Sequence, residues 1–292
     1  MKPILVPVDF SKPAENAARY AVHLCETVKS NLLLCHAFLV PAEAVGSAQI
    51  AWPLYEYSTL EDYSKGELEK LAKKLEDHER SISSPRAFRP AISCVTEAGN
   101  ATDVISHLAD DKIIGLIVMG LSGSGAVSRF FMGSVARKTL EKVSHPVLLI
   151  PKNIHYKMLK KIAFATDLNN GDIKIINSFV PWIALFGADL VITHIVDDLH
   201  DTVVHQKESD EFVKDIGNKI NYDKLYFRRV ESRHIDEGLN WIMQNGRIDM
   251  LAMVHHHKGA VSTLFGLSYT KEVMSQLTIP LLVFPEDKSF TL

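Results

Sequence analysis

The sequence contains no apolar run that approaches the roughly 20 residues of a membrane-spanning helix, so no spanning segment is predicted. It also has no excess of one charge, because 32 basic residues are balanced by 35 acidic ones, for a formal net charge of -3. This balance gives no electrostatic reason to expect a nucleic acid or an anionic membrane as a partner. Asp9 follows Met1 too soon for the apolar core of a signal peptide.

Cysteine is scarce, since the 292 residues include only Cys25, Cys35 and Cys94. These three form neither a CxxC pair nor an even set for disulfides. Each lies in an apolar run, where a buried, reduced thiol is the usual state. We therefore predict a cytoplasmic protein without disulfides.

Motifs of well-known chemistry are absent as well. The P-loop spacing does not occur, and spacing reveals no Ser–His–Asp set, no paired carboxylates and no metal-ligand cluster. The successive residues His255, His256 and His257 would point in alternating directions on an extended segment, so we expect no metal site there. We interpret other histidines, such as His23, His107 and His194, as packing residues on apolar faces. No catalytic residue and no structural metal are predicted.

The sequence is rich instead in short apolar runs that alternate with amphipathic segments. In the first half these runs predict strands at residues 4–8, 31–38, 87–96, 113–119 and 147–150. Helical spacing predicts helices after Ser11 and at residues 66–82, 101–110 and 134–143. Strands that alternate with helices are typical of a parallel sheet covered on both faces, so we predict an α/β fold.

Residues 38–64 form a long connection without a clear period, and they include the aromatic residues Trp52, Tyr55, Tyr57 and Tyr63. A connection of this length is unusual in an α/β domain. It is consistent with a lid, with a contact surface, or with an excursion packed by its own aromatic side chains.

The pattern of the first half then repeats. Residues 161–167 resemble residues 3–9, with Asp167 in the place of Asp9, and residues 259–262 repeat the Gly-Ala-Val-Ser of residues 125–128. Internal repeats of this kind indicate related domains. We predict one domain at 1–151, a linker at 152–160 and a second domain at 161–292.

Glycines flank the loop between the fourth strand and the fourth helix of the first half. Gly120 and Gly123 lie where the strand ends, and Gly133 and Ser134 lie where the helix begins. Glycine lets an anion approach the backbone closely, and the first N–H groups of a helix attract phosphate. The spacing favours a phosphate-binding loop, although Gly-Ser-Gly also makes ordinary turns.

Together, the strand ending in Pro7-Val8-Asp9 and the spacing Gly-x2-Gly-x9-Gly-Ser resemble the universal stress protein family of the ATP-binding type. Two copies in one chain resemble its tandem-domain members. The resemblance implies two Rossmann-like domains, each with a five-stranded parallel sheet of order 3-2-1-4-5 flanked by helices. It implies an adenine nucleotide, ATP or AMP with or without Mg²⁺, bound by the first domain.

The nucleotide-binding residues that the resemblance implies are Pro7, Val8, Asp9, Ala37, Met119, Gly120, Ser122, Gly123, Gly133, Ser134 and Val135. Asp9 would accept hydrogen bonds from the adenosine, Ala37 would pack on adenine, and the glycines with Ser134 would hold phosphate. A second interpretation of Asp9 stays open, in which the acid at the strand end caps the following turn.

The second half departs from this pattern. Val254, His257 and Leu267 stand at the positions of the three glycines, although Asp167 and Ser268 are retained. A Cβ at these positions would obstruct a phosphate, so we predict a degenerate second site. Because the repeat keeps the scaffold without the glycines, we interpret the glycines as functional rather than structural.

These observations favour a nucleotide-binding regulator of the stress response, with ATP turnover slow or absent. A non-nucleotide interaction scaffold and a slow ATPase are the alternatives. The last strands of the two halves, from Val147 to Ile150 and from Leu281 to Val283, are short and apolar. We expect these edges to pair within the chain as a pseudo-dimer, with a homodimer as a further option.

Overall fold

The computed structural model describes residues 1–39, 51–82, 87–121, 133–197, 203–255, 277–286 and 289–290, without the side chains of 51–57, 81–82, 197 and 203–205. In these residues ten strands and seven helices follow one another along the chain. No helix in these ranges is both long enough and apolar enough to cross a membrane.

The first half contains β1 (Ile4–Pro7), α1 (Lys12–Val28), β2 (Leu32–Phe38), α2 (Ala51–Ile82), β3 (Ile92–Ala98), α3 (Ala101–Asp111), β4 (Leu116–Leu121), α4 (Ser134–Lys142) and β5 (Val147–Pro151). The second half contains β6 (Lys161–Thr166), α5 (Asn170–Ala184), β7 (Asp189–Asp197), α6 (Val203–Lys219), β8 (Leu225–Ser232), α7 (Ile235–Asn245), β9 (Met250–His255) and β10 (Leu281–Pro285).

All ten strands form one sheet in the order β3-β2-β1-β4-β5-β10-β9-β6-β7-β8. The strands within each half are parallel, as in the pairs β1–β2 and β6–β7. Each half therefore has the order 3-2-1-4-5 when its own strands are counted from its first. The predicted α/β class and strand order are confirmed.

The two halves meet at β5 and β10, which pair in antiparallel fashion with Leu148 opposite Leu282. Because this one pairing is antiparallel, the carboxyl ends of the strands face opposite edges of the sheet in the two halves. Any site at the carboxyl end of β1 is therefore remote from the corresponding site at β6.

Helices cover both faces of the sheet, which explains why its strands are apolar on both sides. In β1, Ile4 and Val6 belong to the core beneath α1, α2, α5 and α6, whereas Leu5 belongs to the core beneath α3, α4 and α7. Both cores extend across the seam between the halves, so the sheet has one continuous core on each face.

Three predicted boundaries differ in the structure. Helix α2 begins at Ala51 rather than at residue 66, and Pro53 is tolerated because it lies in the first turn. Strand β3 begins at Ile92, and β4 begins at Leu116 rather than at Ile113. The backbone of Ile113 is left-handed, with φ of 52°, so this residue ends a turn and cannot start a strand. Residues 40–50 of the predicted long connection lie outside the described residues.

Helix α1 starts against the end of β4, and the contact is between backbones. A Cβ on Gly120 would lie 2.4 Å from the carbonyl oxygen of Pro13 and 3.0 Å from the nitrogen of Ala14. Side chains do not pack at such distances, so position 120 requires glycine for the fold alone. This corrects the interpretation that the loop glycines have no structural role. In the second half the corresponding residue is Val254, which is buried in the core that also contains residues of α5.

Asp249 fixes the beginning of the second half. Its Oδ2 accepts hydrogen bonds from the backbone N–H groups of Lys160 at 2.8 Å and Lys161 at 3.0 Å, and Lys157 Nζ lies 2.7 Å from Oδ1. Partial burial raises the pKa of this carboxyl, but the hydrogen bonds and the Lys157 charge outweigh it and leave the pKa below its usual value.

Gly120→Ala should destabilise the protein by about 1–3 kcal/mol, because the new methyl group must displace the backbone of α1. Urea unfolding followed by circular dichroism measures the change. Gly66→Ala is the matched control, since a Cβ there meets nothing within 4 Å and α2 should gain about 0.5–1 kcal/mol. A Gly120→Ala variant as stable as the wild type would contradict the close contact.

Asp249→Asn should destabilise the protein at neutral pH by about 1 kcal/mol, a value reduced for the solvent that reaches this group. Since the folded-state pKa is lowered, the carboxylate stabilises the fold above its unfolded-state pKa. That contribution is lost as the pH falls through the folded-state pKa. The difference in urea midpoint between variant and wild type should therefore shrink as the pH falls below the ordinary pKa of an aspartate and disappear once the folded-state carboxyl is protonated. A difference that is constant with pH would refute the role of the charge.

Candidate functional site

A cavity of about 280 Å³ opens at the carboxyl ends of β1, β2 and β4. Strand β1 connects through α1 to β2 on one side, and β4 follows α3 on the other side. The cavity therefore lies where the strand order reverses, which is the usual ligand position in open α/β sheets.

The structure brings most of the predicted site residues together around this cavity. Its lining includes Pro7, Val8, Asp9, Ala37, Met119, Gly120, Gly133, Ser134 and Val135. Ser122 and Gly123 lie outside the described residues.

Other lining residues were not predicted from the sequence. They are Ser11, Pro13 and Ala14 at the start of α1, Cys35 and His36 of β2, Ala101 and Ile105 of α3, and Ala136 of α4. Each helix that follows a parallel strand begins at the same edge of the sheet, so the starts of α1 and α3 could have been expected from the element order. That Ile105 lines the cavity depends on how α3 packs on the sheet, and the sequence alone did not predict it.

Three helix N-termini converge on the cavity, and they differ in how they are capped. In α1 the Ser11 hydroxyl accepts a hydrogen bond from the N–H of Ala14 at 3.3 Å, and in α3 the Asn100 side chain accepts one from Thr102 at 3.0 Å. Helix α4 begins after Gly133, which provides no side-chain cap. Within the described residues, no side chain caps the first N–H groups of α4, which are the groups that attract an anion at a helix start.

Asp9 is exposed at the cavity and also holds the turn that follows β1. Its Oδ1 accepts a hydrogen bond from the backbone N–H of Ser11 at 3.0 Å. Phe10 between them is left-handed, with φ of 59°. The turn-capping role left open by the sequence is therefore present, and it uses only one of the two carboxylate oxygens.

His36 connects the ends of β1 and β2. Its Nδ1 lies 2.7 Å from the carbonyl oxygen of Val8, and because a carbonyl only accepts, Nδ1 donates. His194 makes the same bond to Thr166 at 3.0 Å in the second half. His107 is largely exposed and contacts Glu97 at 3.2 Å. His107 and His194, and also His23 beside Glu79, form specific polar contacts, which corrects their interpretation as packing residues on apolar faces.

The second half keeps the turn, but the residues around the turn differ from those of the first half. Asp167 accepts a hydrogen bond from the N–H of Asn169 at 3.2 Å, and Leu168 is left-handed like Phe10, with φ of 66°. Asp172, which is buried in the first turn of α5, accepts a hydrogen bond from the Thr166 hydroxyl at 2.7 Å. A carboxylate of the chain itself therefore lies at the start of α5, where the first half has the small residue Ala14.

The surroundings of Asp167 are acidic. A cavity of about 680 Å³ beside it is lined by Glu208, Glu211 and Asp215 of α6, with Lys214 as the only cation among its described residues. Val254 is buried, and His257, Leu267 and Ser268 lie outside the described residues. Negative charge at this edge opposes the binding of a second anion.

The cysteines are free in the structure. Cys25 and Cys35 are buried as predicted, whereas Cys94 is only partly buried. Burial and the nearby charge of Glu97 raise the pKa of Cys35 to about 12, so this thiol of the cavity wall stays protonated near neutral pH. Cys35 is consequently a weak candidate for a nucleophile.

Comparison with known proteins identifies universal stress proteins as relatives. Residues 1–151 match the model of the universal stress protein family. A universal stress protein of Thermus aquaticus, from the 3' region of the QAH/OAS sulfhydrylase, is 28% identical over 151 residues, which are 51% of this chain and 98% of that protein. The Bacillus subtilis universal stress protein YxiE is 25% identical over 148 residues, covering 50% of this chain and 97% of its own.

The fold of the whole chain also has a counterpart. The crystal structure of a universal stress protein from Archaeoglobus fulgidus DSM 4304 superimposes with a TM-score of 0.70, at 15% identity, over 97% of this chain and 98% of that one. At this identity the similarity concerns the fold alone. Since the family model matches more than half of the sequence, the chain belongs to the universal stress protein family.

Proposed function

We propose that the first half binds an adenine nucleotide, ATP or AMP, in the cavity at the ends of β1 and β4. The observation that carries this proposal is the uncapped start of α4 at Gly133, which presents backbone N–H groups to the cavity. The partial positive charge of a helix N-terminus favours a phosphate there.

The remainder of the cavity suits a nucleoside. Ala37, Ile105 and Met119 give it an apolar wall against which a purine ring can pack. The Asp9 carboxylate can accept hydrogen bonds from ribose hydroxyls. Ser122 and Gly123 are proposed as further phosphate ligands on the strength of the family resemblance. Mg²⁺, if present, would accompany the phosphates.

Binding, rather than turnover, is the proposed activity. Among the described lining residues only Asp9, Cys35 and His36 can titrate. The His36 Nδ1 is engaged by Val8, and the high pKa of Cys35 keeps its thiol protonated. No pair of a nucleophile and a base is therefore assembled in this part of the chain. We propose a nucleotide-responsive regulator, consistent with membership of a stress protein family.

The arrangement of the chain supports a single site. We propose domains at 1–151 and 161–292, joined at 152–160, whose β5–β10 pairing acts as the contact of a pseudo-dimer. In the second half Asp172 supplies an internal anion and Asp167 faces an acidic surface, so we propose that this half binds no nucleotide. We propose a cytoplasmic location. Association of two chains as a homodimer is a further prediction.

Substitutions at Ser134 separate the contributions of its hydroxyl and its N–H group. Ser134→Ala should weaken ATP binding about tenfold or more, because a hydrogen bond to a charged group contributes about 1.5–3 kcal/mol. Ser134→Pro removes both donors and should weaken ATP further. Proline fits this first helical position, and Gly133, with φ of -56° and ψ of 151°, has the conformation preferred before proline.

Isothermal titration with ATP and with adenosine measures these effects. Adenosine lacks phosphates, so its affinity should be the same for the wild type, Ser134→Ala and Ser134→Pro. Thermal unfolding without ligand checks that both variants remain folded. A folded Ser134→Pro variant that binds ATP as tightly as the wild type would overturn the proposal.

Substitution of the equivalent acids Asp9 and Asp167 tests whether the chain has one nucleotide site. The wild type should bind one ATP per chain, and Asp9→Ala should lose most of this binding because the ribose loses its acceptor. Asp167→Ala is the matched control, since it removes a carboxylate from the same kind of turn. Its affinity and stoichiometry should equal those of the wild type. Two equivalents of ATP per wild-type chain would refute the single site.

A further inference from the structure

A second group of polar side chains lies between α1 and α2, away from the nucleotide cavity. It consists of His23 and Glu26 of α1 and Glu79 of α2, whose ligand atoms all lie within 4.8 Å of one another. The spacing of His23 and Glu26 places both on one face of α1. Glu79 reaches them only because α2 packs alongside α1.

The distances within this cluster match those between ligands of a small divalent ion. His23 Nδ1 lies 3.3 Å from Glu79 Oε1 and 3.7 Å from Glu26 Oε2. Two ligand atoms at about 2.1 Å from an ion, separated by the tetrahedral angle, lie about 3.4 Å apart. Small rotations of the side chains would therefore be enough to bind the ion.

The cluster is enclosed and its imidazole is held in place. The side chain of Glu79 is 9% exposed and that of Glu26 is 19% exposed, so two carboxylates converge on one nitrogen in a partly dry environment. The ring of Tyr156 stacks on His23 at 5.4 Å, and its hydroxyl lies 2.7 Å from Thr27 Oγ1. Fixed neighbours of this kind orient a metal ligand in advance.

We propose that His23, Glu26 and Glu79 bind one divalent transition-metal ion, with Zn²⁺ as the best match. Nitrogen from imidazole and oxygen from two carboxylates is a ligand set that suits Zn²⁺, whereas Mg²⁺ and Ca²⁺ prefer oxygen alone. A water molecule completes the fourth position. The ion joins α1 to α2, and Tyr156 extends this connection to the segment between β5 and β6. The proposal does not depend on nucleotide binding.

Titration of the full chain with ZnCl₂ after treatment with EDTA, at about pH 7.5 where imidazole can bind metals, tests this site. The wild type should bind one equivalent of Zn²⁺. Glu79→Gln and His23→Asn should each lower the affinity for Zn²⁺ at least about tenfold, since the loss of even an outer-shell partner lowers metal affinity about 10–100-fold. The absorption spectrum of the Co²⁺-loaded protein should report nitrogen and oxygen ligands, without the thiolate bands that a cysteine would add.

Two controls separate this site from other histidines. His107→Asn removes a histidine outside the cluster, which lies beside Glu97, and His256→Asn interrupts the histidine run at 255–257. Both variants should still bind one equivalent of Zn²⁺ per chain. Thermal unfolding without metal checks folding, and Glu26→Gln replaces Glu79→Gln if the latter does not fold. Absence of stoichiometric Zn²⁺ binding, persistence of binding in the cluster variants, or its loss in His256→Asn would each overturn the proposal.

Discussion

The antiparallel pairing of β5 with β10 is the contact on which the rest of the architecture depends. Each strand would otherwise be an open edge with unpaired backbone groups. Because Leu148 and Leu282 face each other there and are buried, the two halves share one sheet and one core on each face. The antiparallel direction also sends the strand ends of the two halves to opposite edges. The cavity beside Asp9 and the acidic surface beside Asp167 must each be built from its own half.

The same scaffold holds two chemically different strand ends. The turn after the first strand is almost identical in the two halves, with a left-handed residue at Phe10 and at Leu168 and a histidine bonded to the preceding strand. The difference lies beside that turn, where the cavity of the first half is mostly apolar and the second half has Asp172 and the acids of α6. An internal carboxylate and the acids of α6 make this end of the second half negative, which opposes the binding of an anion. The charge at a strand end can therefore change while the fold is retained.

Helix α1 takes part in both proposed sites through its two ends. Its first turn lines the nucleotide cavity and contacts Gly120 through the backbone. Its later turns carry His23 and Glu26, which meet Glu79. No metal site was expected because spacing along the chain reveals only ligands that are close in sequence. Glu79 is distant in sequence from His23, although both lie on helices that the sequence predicts. The ligand set could not be recognised before the packing of α2 was known.

The sequence by itself determined the α/β class, the repeat, the strand end at Asp9 and the helix start at Gly133, because apolar periodicity and glycine spacing are local properties of the chain. The strand order came from the family resemblance that the same residues carry. Only the tertiary structure decided why position 120 is glycine, how Asp172 reaches Thr166, and which acids surround His23. These features depend on how closely one element approaches another. Such distances are set by the packing of whole helices on a sheet, and no pattern along the chain records them.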